Sequence, residues 1–277
     1  MAWLLHDTPV DFRHLSWNGI SSGTTGGCLP KTLVEEDGRI YYYKTSSYDR
    51  DLGFYGLESI CELIASRAFQ SLGIPCVRYE LMDALISIDG KEKRTFLTRS
   101  ESFLSPGEQS MSLGMYFEAM GLGGGERGLE ALDELGLGNA MRRIFVGDYL
   151  IANRDRHSSN LEVILGTDGK IRMAPAFDFG LSLTAPFCRN PRGLESFDVL
   201  CDMRVNNFIG FTSLEDNLLL AESAEIEGNL EERVVDHIFS DLSGILPEEH
   251  LKKSSELMKA RWERYEKLLD HERHERA

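Results

Sequence analysis

The run Asn153-Arg154-Asp155-Arg156-His157-Ser158-Ser159-Asn160 packs polar and charged side chains together as no helical or strand period would place them. Asp155 offers a carboxylate able to orient or accept the proton of an attacking hydroxyl. Asn160, five positions on, and Asp178, which opens Asp178-Phe179-Gly180, offer hard oxygens to Mg²⁺. Phosphoryl transfer from ATP demands this set, because the leaving γ-phosphoryl group spreads negative charge that must be held and neutralised. Asp or Asn by itself also suits a turn. The apolar strip Phe145, Val146, Tyr149, Leu150, Ile151 leads into the loop. Beyond it, the runs 161–165 and 170–173 read as short strands joined by Thr167-Asp168-Gly169, a hairpin that returns Asp178 to the polar cluster.

The protein-kinase signature uses the same Asp-to-Asn interval and a literal Asp-Phe-Gly. The loop 153–160, with its His two residues after the base, and Met173-Ala174-Pro175-Ala176-Phe177-Asp178 resemble the HipA-like serine/threonine kinases of bacteria. Eukaryotic kinases place a His two residues before the base, where this chain has Asn153. His157 is expected to pack under the loop as a structural residue rather than to transfer a proton.

The amino-terminal part must supply the nucleotide. In residues 19–31, Ser22, Gly23, Thr24, Thr25, Gly26 and Gly27 present backbone amides without side-chain obstruction, as a loop covering phosphates requires. The Gly-Lys-Ser/Thr ending of a Walker A loop is absent. The ending Gly26-Gly27-Cys28-Leu29-Pro30-Lys31-Thr32-Leu33 resembles the glycine-rich loop of the HipA-like kinases, which similarly ends in a Lys, here Lys31. Residues 39–45 read as an aromatic-rich strand with Lys44 at its end, and residues 57–72 as a helix stopped by Gly73 and Pro75. A kinase needs a strand Lys on the α- and β-phosphates, held by a helix Glu. Glu58 and Glu62 lie one turn apart, so periodicity cannot separate them. The register of the family helix favours Glu62. Strands at 77–88 and 93–98 follow, and the kinase resemblance implies a hinge at Leu97-Thr98-Arg99-Ser100-Glu101, with Leu97, Thr98 and Ser100 beside the adenine. Ser105-Pro106-Gly107 reads as a linker and Gly121–Gly125 as a flexible insertion before a mainly helical remainder.

A chain of 277 residues with 42 % hydrophobic content is ample for a core. The net charge of −15, without a basic block, disfavours direct binding of nucleic acid or anionic membranes. Five widely spaced cysteines without a Cys-x-x-Cys pair fit reduced thiols. The start of the chain lacks a basic region and a long apolar run, so a cytoplasmic location is expected.

These readings converge on an α+β, two-lobed kinase fold: residues 1–100 as a β-rich lobe and 101–277 as a helical lobe, with Mg²⁺ and ATP as cofactors. The resemblance implies a protein substrate with a Ser or Thr acceptor, a toxin-like role, and a cognate antitoxin or other inhibitory protein as partner. It also implies autophosphorylation in the glycine-rich loop, at Ser21, Ser22 or Thr24. The alternatives are a lipid or small-molecule kinase, since phosphoinositide kinases share an Asp-Arg-His-x-x-Asn loop, and an ATP-binding pseudokinase acting as a toxin-neutralising module.

Overall fold

Two hairpins, each turning on an Asp-Gly pair, build the sheet that carries Lys44. The structure, a computed structural model, describes residues 8–17 and 29–275, the final five by their backbone only. Ser21, Ser22, Gly23, Thr24, Thr25, Gly26 and Gly27 lie outside the described residues. After Val10–Phe12 (β1), strands Lys31–Glu36 (β2) and Arg39–Thr45 (β3) turn at Asp37-Gly38 with φ of 50° and 74°. A clip of Tyr48–Asp49 (β4) and Gly53–Phe54 (β5) leads to helix Glu58–Ser71 (α1). Glu80–Ile88 (β6) and Lys91–Glu101 (β7) turn at Asp89-Gly90, φ 49° and 70°. Only glycine takes the second of these left-handed positions without steric penalty, which is why Asp-Gly marks both turns.

The five-stranded sheet runs β1-β6-β7-β3-β2, antiparallel apart from β1 on β6. Lys44 is in register with Lys31 on one side and Thr98 on the other, so these three side chains share one face. The other face has its own small core of Phe12, Trp17, Tyr43, Met82, Ala84, Ile86 and Leu97.

Beyond β7 come Gln109–Ser112 (β8), Leu113–Met120 (α2), Glu126–Glu134 (α3) and Gly138–Leu150 (α4). The short strand Asp155–Arg156 (β9), then Glu162–Leu165 (β10) and Ile171–Met173 (β11), carry the loops singled out in the sequence. Pro191–Glu195 (α5), Asn206–Asn207 (β12), Leu214–Leu219 (α6), Glu232–Phe239 (α7) and Glu248–Glu275 (α8) complete the chain. β10 lies between β8 and β11, all antiparallel, and the turn from β10 to β11 uses Gly169 at φ 77° as the sequence requires.

Helix α1 joins the two regions. Its Ile60, Ile64, Ala68 and Leu72 follow the spacing of one helical face and are buried in a single core with Met141, Phe145 and Tyr149 of α4. Two expectations change. β7 continues to Glu101, because its pairing with β3 runs from Leu97 to Glu101. Gly121–Gly125 is no flexible insertion: Gly125 N donates to Phe208 O at 2.8 Å, and Gly210 N donates to Gly125 O at 2.9 Å. Among the described residues no helix is long and apolar enough to cross a membrane.

The ring of Phe69 on α1 packs against α4 at Gly147, where an added Cβ would collide with it. Gly147→Ala is therefore expected to destabilise the fold by about 1–3 kcal/mol through overpacking. For a chain of this size that lowers Tm by roughly 2–4 °C per kcal/mol. A calorimetric Tm equal to that of the wild type would contradict this packing.

Candidate active site

Lys44 leaves the end of β3 and places its Nζ 2.6 Å from Glu62 Oε1 and 2.5 Å from Asp178 Oδ1. Three segments remote in sequence thus meet at one ammonium group. The Glu62 carboxylate, 1 % exposed, also accepts from Thr98 Oγ1 at 2.8 Å. Burial alone would lower the Lys44 pKa, but Glu62 and Asp178 outweigh it and hold the ammonium above its ordinary value. Burial likewise works against the Asp178 carboxylate, and Lys44 outweighs it, so that carboxyl lies below its usual range. Glu58 serves elsewhere: its carboxylate accepts from Ser47 N at 3.1 Å and from Ser47 Oγ, capping the chain ahead of α1.

The hinge reading needs correction. Leu97 and Thr98 are 0 % and 1 % exposed, inside a continuing strand, with Leu97 in the core on the far face and Thr98 bonded to Glu62. Thr98 positions the Lys44 partner and offers no edge to an adenine. Ser100 remains on the Lys44 face, opposite Tyr42. Sequence reading missed Tyr42 itself, which pairs across the sheet with Leu33; the two are 46 % and 53 % exposed on this face. The signal was available as strand alternation: Tyr42 is two residues before Lys44 and must point the same way. Tyr42 and Leu33 together present exposed apolar surface on the sheet face that carries Lys44. Lys31 is exposed at the start of β2, in register with Lys44.

Asp178 adopts φ 57°, uncommon for a residue with a side chain, and its N–H donates to Tyr79 Oη at 3.1 Å. Phe179 is fully buried, its ring 4.7 Å from Phe69 and 6.3 Å from Tyr79. The aromatic contacts anchor the Asp-Phe-Gly turn to α1 and leave the Asp178 carboxylate facing Lys44.

Under the loop of residues 153–160 lies Arg156, 0 % exposed. Its Nε and Nη2 donate to Asp148 at 2.9 and 2.6 Å, and its Nη1 donates to Phe177 O at 2.6 Å and Asn160 O at 3.2 Å. Burial works to lower the Arg156 pKa and Asp148 outweighs it. Asn153 Nδ2 adds a bond to Asp148 Oδ1 at 3.0 Å. One guanidinium thus spans the end of α4, the loop and the residue preceding Asp178. The expectation that His157 packs under the loop is corrected: Arg156 takes that place, and the His157 side chain is 39 % exposed. It does shape the loop, its Nδ1 accepting from Ser159 N at 3.1 Å. Nε2 therefore carries the ring proton and lies 3.7 Å from Asp155 Oδ2. Asp148 was also missed, because a lone acid near the end of a helix has no distinguishing sequence signal.

Asn160, 5 % exposed, donates through Nδ2 to Asp155 O at 3.1 Å, which orients the amide and leaves its oxygen as the atom that could meet a cation. Among the described residues no three His, Cys, Asp or Glu side chains cluster as a metal cage. Mg²⁺ commonly keeps several waters and takes one or two protein oxygens with substrate phosphates, so the pair Asn160 and Asp178 fits that ion.

No family model matches the chain, and no curated protein sequence matches it. Solved structures do. The proinflammatory kinase CtkA of Helicobacter pylori is 16 % identical, with a TM-score of 0.62 over 92 % of this chain and 94 % of that one. HipA of Shewanella oneidensis MR-1, solved with HipB and operator DNA, is 16 % identical, with a TM-score of 0.47 over 92 % of this chain and 68 % of that one. The likeness to CtkA shows that this chain has a kinase-like α+β fold.

The buried Asp148–Arg156 pair yields a sharp expectation. Arg156→Met removes the charged partner, leaving the buried Asp148 carboxylate with the Asn153 amide, and two carbonyls without their guanidinium donor, a loss of about 3–5 kcal/mol. Urea denaturation measures it, and a loss below about 1 kcal/mol, the level of an exposed pair, would contradict the buried network.

Proposed function

We propose that this protein is a kinase that transfers the γ-phosphoryl group of ATP to a serine or threonine hydroxyl of a protein. The observation that carries the reading is Lys44 Nζ bridging Glu62 at 2.6 Å and Asp178 at 2.5 Å. That arrangement readies a strand lysine for the α- and β-phosphates and sets a carboxylate beside it for the metal. The fold shared with a known kinase supports it.

In this reading Lys44 binds the phosphates, and Tyr42 and Leu33 give the base an apolar surface to lie against. Asn160 and Asp178 would hold Mg²⁺, which would supply positive charge to the phosphates during transfer. Asp155 accepts the acceptor's hydroxyl proton while the new O–P bond forms and the bond to the ADP oxygen breaks, ADP leaving with the electron pair. The proton then passes to solvent. The division into lobes at residues 1–100 and 101–277, the cleft between them as the nucleotide site, and restraint by a partner protein belong to the same proposal.

Three measurements test it. Mg·ATP at a hundredfold excess over its Kd is expected to stabilise the protein by about 2.7 kcal/mol, and Asp178→Asn to lose most of the resulting Tm shift. An unchanged wild-type Tm would sink the nucleotide assignment. Asp155→Asn is expected to retain that shift while transfer falls roughly 10²- to 10⁴-fold, the contribution of a positioned base. Wild-type turnover in this variant would show that Asp155 is not the base. Transfer to Ser21, Ser22 or Thr24 adds roughly −1.5 to −2 charges to the loop and is expected to weaken ATP binding. Peptide mass spectrometry after incubation with Mg·ATP, showing all three unmodified, would reject that extension.

A further inference from the structure

Residues 205–211 fold back from α5 onto the catalytic loop. Asn206 N donates to Arg154 O at 2.9 Å and Phe208 N to Arg156 O at 3.0 Å, which pairs β12 with β9 and sets Asn206 in register with Asp155. The segment is fixed from behind as well. Gly125 holds it through Phe208 O and Gly210 N, at 2.8 and 2.9 Å. Asn217, 1 % exposed, holds it through both polar groups of the Phe211 backbone, at 2.7 and 3.0 Å. From this fixed backbone the Asn206 side chain donates from Nδ2 to Asp155 Oδ1 at 3.0 Å. Among the described residues the other oxygen, Oδ2, accepts no hydrogen bond, and the Nε2–H of His157 stands 3.7 Å away, beyond hydrogen-bond distance.

We propose that Asn206 is the positioning residue of the base: its amide fixes the Asp155 carboxylate by Oδ1 and so leaves Oδ2 to meet the acceptor hydroxyl. The inference rests on the phosphoryl-transfer reading above. A carboxylate turns easily about its Cβ–Cγ bond, since that torsion has a broad profile. An unheld Asp155 would spread its two oxygens over many orientations, and catalysis is lost with displacements of about 1 Å. In the step itself the hydroxyl proton moves to Oδ2 as the O–P bond forms and ADP departs; Asn206 gains and loses no proton.

A double-mutant cycle tests this. Wild type, Asn206→Ala, Asp155→Ala and the double variant are compared for Mg-dependent transfer of labelled γ-phosphate to dephosphorylated casein and to water. Asn206→Ala is expected to lower kcat roughly 10- to 100-fold with KM for ATP changed less than about twofold, a share of what a positioned base supplies. In the Asp155→Ala background the same change is expected to add nothing, because a residue acting through another has no effect once that other is gone. Asn206→Asp keeps the shape but sets a second carboxylate against Oδ1, and its kcat is expected to fall at least as far. Losses that add in the double variant, or wild-type kcat in Asn206→Asp, would overturn the role while leaving the kinase reading intact. A wild type that transfers phosphate to neither acceptor would overturn that reading and this role with it.

Discussion

One ammonium group carries the arrangement on which the rest of the site depends. Lys44 Nζ lies between the carboxylates of Glu62 and Asp178, and its side chain is only 22 % exposed. Two carboxylates brought this close in a partly dry environment repel each other, and each loses hydration on burial; the lysine offsets both effects. The fold then has to deliver three backbones to one point independently of that charge. The five-stranded sheet fixes β3, the apolar face of α1 fixes Glu62, and Phe179, buried against Phe69 and Tyr79, fixes Asp178. The left-handed φ of 57° at Asp178 persists because those aromatic contacts and the Tyr79 hydrogen bond hold it.

A second cation organises the opposite wall by different means. Arg156 is completely buried and spends its donors on Asp148 and on two carbonyls, that of Phe177, the residue before Asp178, and that of Asn160. A lysine has no planar fork and cannot make this set of bonds. The arginine does for the catalytic loop what packed apolar side chains do elsewhere, but it also fixes directions, since every bond it makes is oriented. His157 and Asn206 act on the exposed side of the same loop, each through one hydrogen bond, to Ser159 N and to Asp155 Oδ1.

Much of this was legible in the chain itself. Asp-Gly pairs located both hairpins because left-handed backbone requires them, and the spacing of Ile60, Ile64, Ala68 and Leu72 located α1 and its buried face. The roles proposed for Asp155, Asn160 and Asp178 come from the same kind of local pattern, since groups that serve one chemistry recur at fixed intervals. Local pattern determined which side chains could do chemistry, and the kinase-like fold expected from them is the fold found.

What stayed out of reach was every relation between segments distant in sequence. Periodicity left Glu58 and Glu62 equivalent; the sheet decided between them by setting Lys44 and Thr98 against Glu62 and leaving Glu58 to Ser47. The hinge was misplaced because a strand's end is set by its partner, and β3 continues the pairing to Glu101. Gly121–Gly125 looks like a loose linker by composition, yet it docks on the Phe208 backbone because the absence of side chains permits that approach. Arg156 rather than His157 lies under the loop because only three-dimensional packing reveals where a buried carboxylate such as Asp148 awaits a partner. Sequence fixes which groups are available and how neighbours along the chain must lie; burial and hydrogen-bond pairing across long separations depend on the whole chain closing on itself, and only the tertiary structure decides them.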